Sequence, residues 1–67
     1  MKIAVVAANG RVAKEVIAEA VRRGHEVVAF GRHAENDTQA KEYHKKDLFE
    51  LTAEDLKGFD VVVDAAG

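Results

Sequence analysis

Residues 3–8, Ile-Ala-Val-Val-Ala-Ala, form an unbroken apolar run that is β-branched at its centre and ends at Asn9-Gly10. A run without alternation predicts a strand buried on both faces, as a parallel sheet lying between two layers requires. Val12, Ala13, Val16, Ile17, Ala20 and Val21 then recur at helical spacing, with Arg11, Lys14, Glu15, Glu19, Arg22 and Arg23 on the other face. This predicts an amphipathic helix of about three turns. Glu19 reaches Arg22 or Arg23 one turn on, the basic pair suits the negative end of the helix, and Gly24 stands where a left-handed cap belongs.

Glu26 to Phe30 is a second apolar strand, closed by Gly31-Arg32. Ala34 to Ala40 has no apolar face and is read as an exposed loop or a weak helical turn. Glu42 to Asp47 is a short strand of mixed polarity, expected at or near a sheet edge. Thr52-Ala53-Glu54-Asp55 has the form of a capping box and predicts a short helix that Gly58 ends. Val61 to Asp64 is a fourth strand. Phe30, Phe49, Leu51, Leu56 and Phe59 are expected in the core. Strands alternating with helical segments of this size define an α/β chain with a parallel sheet of about four strands.

Composition narrows the chemistry. The chain has 67 residues, 48% of them hydrophobic, with 10 Lys and Arg against 12 Asp and Glu, a net charge of −2. A chain of this size buries only roughly 60% of the surface it exposes when unfolded, so one small unit is all it can build. With no cysteine, it has no disulfide, thiolate metal site or cysteine nucleophile. His25, His33 and His44 share no i, i+4 spacing, so no metal site is expected. The charge balance gives no footprint for nucleic acid. The first apolar stretch is far below the roughly 20 residues that span a bilayer, and shorter than the signal-peptide core of about 7–15. No membrane association and a cytoplasmic location are expected.

The stretch from Ala7 to Ala13 joins the first strand to the first helix. Backbone amides at a helix N-terminus favour an anion, so this is where a phosphate would bind. Dinucleotide-binding folds place glycines at such a turn, for tightness, for approach of the pyrophosphate and for packing of helix on strand. Here only Gly10 is glycine.

Residues 1–32, with Lys46-Asp47-Leu48 and residues 60–67, resemble the N-terminal half of an atypical short-chain dehydrogenase/reductase of the NAD(P)H-binding, NmrA-like type. Members begin with a strand, a Gly-x-x-Gly-x-x-Gly turn and a helix ending in Arg-Gly-His-x-Val, which is Arg23-Gly24-His25-Glu26-Val27 in this chain. The resemblance implies a Rossmann-like half-domain over residues 1–67, with strand order 3-2-1-4. It puts Ala7, Gly10 and Ala13 at the three glycine positions. Ala7 adds a methyl group where the backbone should lie against the cofactor, and a positive φ there would strain it by roughly 1 kcal/mol or more. The implied cofactor-binding residues at the turn are Ala7, Asn9, Gly10, Arg11 and Val12. No acidic residue ends the second strand to accept a ribose hydroxyl. Arg32, helped by Arg11 and His33, favours NADP over NAD. Asp47 and Leu48 would flank the adenine, with Asp47 accepting from its exocyclic amine, and Ala65, Ala66 and Gly67 would lie beside the central ribose and phosphate.

Each residue also has a plainer reading. Arg32 and Arg11 can be solvated arginines, and Asp47 can cap a turn at Leu48-Phe49-Glu50. Tyr43 has no Lys four residues on and is not a catalytic tyrosine. A complete dinucleotide domain needs well over a hundred residues. The expectation is therefore a fragment without catalytic residues: the half of an NADPH-dependent oxidoreductase or epimerase-like protein that binds the adenosine diphosphate part of the cofactor. The alternatives are a non-catalytic NAD(P)-sensing regulator and an engineered or truncated α/β module with little ligand binding. The unpaired edge of the fourth strand predicts a homo-oligomer formed by edge pairing or segment exchange.

Overall fold

The computed structural model of the chain describes residues 1–65, apart from the side chain of Leu48. In chain order the elements are β1 (Lys2–Val6), α1 (Arg11–Arg22), β2 (Glu26–Gly31), β3 (Glu42–Lys45), a 3₁₀ turn (Leu48–Glu50) and β4 (Val61–Asp64). The four strands form one parallel sheet in the order β3-β2-β1-β4. Ile3 lies between Val27 and Val61 and Val5 between Ala29 and Val63, so β1 is hydrogen-bonded along both edges. β3 lies at one edge of the sheet, as its mixed polarity predicts.

Strand alternation divides the core into two layers. Ile3, Val5, Val27 and Ala29 meet Ala13 and Ile17 of α1, with Ala8 and Ala40 completing that layer. Ala4, Val28 and Phe30 face the other way and are covered by Leu51, Leu56 and Phe59. Phe30 stacks on His44 with ring centroids 5.4 Å apart and meets Phe59 edge-on at 6.2 Å. Lys2 Nζ lies 5.0 Å above the Phe59 ring.

The helix ends as its sequence predicts. Gly24 has φ +84°, its N–H donates to the Val21 carbonyl, and the His25 N–H donates to that of Ala20. These two bonds are a Schellman cap, which only a left-handed residue can close without strain. Glu19 accepts from Arg23 Nε at 2.8 Å and also from Arg22.

Three expectations change. Residues 53–58 form successive turns rather than a helix, through bonds from Asp55 N–H to Thr52, Leu56 N–H to Ala53 and Lys57 N–H to Glu54. The Thr52/Asp55 box does form, since Asp55 Oδ2 accepts from the Thr52 N–H at 2.9 Å. Six residues between Leu51 and Gly58, which turns at φ +88°, are too few for an α-helix to propagate. Phe49, expected in the core, is 93% exposed, because the single turn Leu48–Glu50 leaves its middle residue facing solvent while Leu51 packs inward. The segment 34–40 is the expected loop, yet its last residue, Ala40, is buried against the α1 layer. Bonds from the Thr38 N–H to Asn36 Oδ1 and from Asn36 Nδ2 to the Ala40 carbonyl hold it there.

Some apolar surface stays open outside the two layers. Val12 is 68% exposed and Val62 45%, and among the described residues β4 pairs only with β1. Ile17, by contrast, is fully buried. Ile17→Ala should cost about 2–5 kcal/mol, a large share of the stability of so small a unit, whereas Val12→Ala should stay within about 0.5 kcal/mol of the parent. Urea unfolding followed by circular dichroism measures both, and equal midpoints for the two variants would contradict the layer assignment.

Candidate functional site

Parallel strands bring all their carboxyl ends to one edge of the sheet, and in open α/β folds ligands bind there. β1 is broken at that edge by Ala7, which adopts φ +61°. This left-handed turn rolls Ala8 back into the core, where its N–H donates to the Phe30 carbonyl at 3.0 Å, and sends Asn9 and Gly10 across the sheet end. Gly10 is the N-cap of α1 with φ −70° and ψ 156°. It supplies no side-chain cap, and the first helical turn holds no acidic residue. The leading amides of a helix have no partner within it, so an anion is the natural complement of this end. A β-carbon built on Gly10 would have only the Ala7 carbonyl oxygen near it, at 3.9 Å, so the space above the turn is open.

A groove of about 600 Å³ lies over the turn, lined by Ala7, Asn9, Gly10, Arg32, His33 and Ala65. Five of the residues expected at a cofactor site, Ala7, Asn9, Gly10, Arg32 and Ala65, therefore meet in one place. Ala65 is held by the bond from its N–H to the Val6 carbonyl at 3.1 Å. The other expected residues stand apart from the groove. Arg11 extends into solvent and lies 3.7 Å from Glu15, and Val12 belongs to a shallow patch with Val16 and Ala20. Asp47 opens the 3₁₀ turn, where Glu50 Oε1 accepts from its N–H at 3.0 Å, which matches the plainer, capping reading. Leu48 follows it in the same turn. Ala66 and Gly67 lie outside the described residues.

The structure adds a network that sequence reading missed. Asn9 Oδ1 accepts from the Arg32 N–H at 2.7 Å and the His33 N–H at 3.0 Å and lies 3.3 Å from the Tyr43 hydroxyl oxygen, while Asn9 Nδ2 donates to Asp37 Oδ1 at 2.8 Å. Two amide donors on one side of the carboxamide fix its orientation. The Tyr43 hydroxyl also lies 2.7 Å from the His33 carbonyl, to which it donates. Gly31 is the residue that admits this arrangement, since a β-carbon there would overlap Asn9 Oδ1 and lie 2.7 Å from the Tyr43 oxygen.

No acidic residue ends β2, but the loop folds one back. Asp37 Oδ2 lies 3.0 Å from Lys14 Nζ and 2.9 Å from His33 Nδ1. Lys14 first, then Asn9 and His33, hold its carboxyl well below the usual carboxylate range. Among the described residues the Arg32 guanidinium enters no ion pair, and no group of three or more His, Asp or Glu is spaced to hold a metal. No helix among them is long and apolar enough to cross a membrane.

The sheet order, the single crossover helix and a groove at the carboxyl ends of the strands define a Rossmann-like α/β half-domain. Comparison with known proteins agrees. SP1627 of Streptococcus pneumoniae TIGR4, a proposed NADH-flavin reductase, superposes with a TM-score of 0.94 at 58% identity over 100% of this chain and 31% of its own. A protein of Lactobacillus casei (TM-score 0.84, 43% identity) covers 97% of this chain with 32% of its own length. Lmo0794 of Listeria monocytogenes (TM-score 0.84, 44% identity) covers the same share with 40% of its length. The uncharacterized protein YwnB of Bacillus subtilis (strain 168) is 48% identical over the whole chain. The chain spans about a third of that relative's length, 32%. No protein-family model matches.

Two outcomes follow from the turn and its network. Ala7→Gly should raise stability by about 0.5–1 kcal/mol, read as a higher urea midpoint, because glycine takes φ +61° without the clash of a β-carbon. An unchanged or lower midpoint would place no strain at Ala7. Asp37 titrates lower in the folded chain than in the unfolded one, so its contribution to stability is complete above the ordinary aspartate value near 4 and is lost as pH falls below it. Asp37→Asn should therefore melt below the parent at neutral pH, with the gap closing under acid. A Tm difference unchanged between about pH 7 and pH 3 would contradict this.

Proposed function

We propose that this chain is the part of a nicotinamide-dinucleotide oxidoreductase that holds the adenosine diphosphate half of the cofactor, with NADP as the preferred form. The observation that carries the reading is the groove over the Ala7–Gly10 turn, with open space above Gly10 and, in its lining, Arg32, which enters no ion pair among the described residues. The residues present fit the group. The turn offers helix-terminal amides and no carboxylate of its own to a pyrophosphate, and Arg32 offers a planar cation to a 2′-phosphate. The cofactor supplies hydride transfer at its nicotinamide. The residues of this chain bind and orient the other end: Gly10 and the start of α1 at the pyrophosphate, Arg32 at the adenosine ribose, Ala65 beside the central ribose.

The affinity of the chain with the short-chain dehydrogenase/reductase type, through Arg23-Gly24-His25-Glu26-Val27 and the spacing of Ala7, Gly10 and Ala13, supports the same assignment. A non-catalytic sensor of NAD(P) would use the same groove. Among the described residues β4 pairs only with β1, and with the exposed Val12 and Val62 this supports association with a second copy of this chain.

One observation favours NAD as a competing reading. SP1627 is named for NADH, and Asp37 brings a carboxylate beside the same turn, where it could accept from a ribose hydroxyl. Both of its oxygens are already engaged, by Asn9 on one side and by Lys14 and His33 on the other, which favours Arg32 and NADP. Titration of the purified chain with NADPH and with NADH decides between them. NADPH should bind about tenfold more tightly, a difference of one charge-assisted contact, and Arg32→Glu should abolish that preference while leaving NADH nearly unaffected. Absence of binding for both at millimolar cofactor would remove the reading, and tighter binding of NADH would transfer it to NAD.

A further inference from the structure

The Asn9 side chain forms more bonds than a tight turn requires. It ties the turn after β1 to the two residues following β2 and to Asp37 in the loop, and it packs against the Tyr43 hydroxyl on β3. Consecutive backbone N–H groups at a strand end are a natural anion nest. Here the donors of Arg32 and His33 are both consumed by the neutral Asn9 oxygen, at 2.7 and 3.0 Å. The backbone at the end of β2 is thereby withdrawn from phosphate binding, and recognition in this corner falls to side chains. Of those, Lys14 and His33 are both held by Asp37. Arg32 remains, and its side chain springs from a backbone whose amide Asn9 holds and whose next carbonyl, that of His33, accepts from Tyr43.

We infer that Asn9 is a positioning residue for cofactor selectivity: by fixing the Arg32 and His33 amides it holds the Arg32 guanidinium where a 2′-phosphate binds, so the preference for NADP over NAD depends on a carboxamide acting through the backbone. The inference rests on the reading of Arg32 as the 2′-phosphate ligand. Gly31 belongs to the same device, because any side chain there would displace Asn9.

NADPH and NADH differ only in the 2′-phosphate, so general loosening of the chain moves both affinities together, and a positioning role moves one. The test titrates the parent, Asn9→Ala and Tyr43→Phe with each cofactor. It also follows amide hydrogen exchange at Arg32 and His33 against the β1–β2 ladder. Asn9→Ala should weaken NADPH by about tenfold and NADH by no more than about twofold, with faster exchange at the two amides and an unchanged ladder. Tyr43→Phe keeps the ring and should act in the same direction, by about two- to threefold, which carries the test if Asn9→Ala does not fold. A parent preference for NADPH that both variants leave intact, or an equal loss of both cofactors, overturns the inference alone. A parent that does not distinguish the cofactors overturns the Arg32 reading and this inference with it.

Discussion

β1 is a strand that water reaches from neither face, and the rest of the structure is what it takes to keep water away. Ala4 and Val5 are fully buried and Val6 nearly so. A strand apolar on both faces satisfies its backbone only by pairing on both edges, which β2 and β4 provide, and it has to be covered from above and below. The two covers are unequal. One is a regular helix set down by Ala13 and Ile17, whereas the other is a string of turns that delivers Leu51, Leu56 and Phe59 to Ala4, Val28 and Phe30. Parallel pairing is the arrangement that lets a chain return for this cover after each strand, and it gathers the strand ends at one edge.

At that edge the chain has to leave a buried strand and enter a helix within four residues, and the left-handed Ala7 is how it does so. A turn this abrupt leaves Asn9 over the end of β2, in the space that Gly31 keeps free. The carboxamide then replaces with one oxygen the partners that the Arg32 and His33 amides lost when the sheet ended. The two bonds lie at the solvent-exposed end of the sheet, where each contributes about 0.5–1.5 kcal/mol. The same atoms that close the sheet also shape the groove, and on the proposed reading stability and binding are joined at Asn9 rather than assigned to separate regions.

Features set by neighbours in sequence were legible, and those set by residues far apart were not. The apolar run 3–8, the helical spacing from Val12 to Val21 and the glycine at 24 each act over one strand or a few turns, and each yields its element, although β1 stops at Val6, two residues before its apolar run does. The strain at Ala7 was readable because a glycine-spaced turn implies a positive φ at its first position. The segment 52–58 misled because a capping box is a local hydrogen-bond pattern that a turn satisfies as well as a helix does. Phe49 misled because hydrophobicity alone says nothing about which side of a single turn a residue takes. The Asn9 network joins residues 23 to 34 positions apart, through a glycine whose only sequence signal was its place at the end of a strand. No local pattern encodes which loop carboxylate returns to a turn, so Asp37 appeared only with the fold.

On the proposed reading of Arg32, the arrangement of charge at the groove explains why one backbone contact would govern recognition there. The chain as a whole is slightly acidic, so no long-range field draws an anionic cofactor to this edge. Attraction has to be local, and Lys14, the cation on the first turns of α1 that reaches this corner, is already spent on Asp37. A single guanidinium facing water is weak as a point charge, since screening and high dielectric reduce an exposed pair to about 1 kcal/mol or less. It becomes selective only if its planar fork meets the phosphate in a fixed geometry, because bidentate contact is lost when the side chain swings freely. Fixing the α-carbon of Arg32 removes the backbone's share of that freedom, and a neutral oxygen does it without adding a charge that would repel phosphate. A carboxylate at position 9 would accept the same two amides but would stand beside both Asp37 and the incoming anion. Asparagine satisfies the amides, leaves the groove without a negative charge at the turn itself, and donates to Asp37 in the same step.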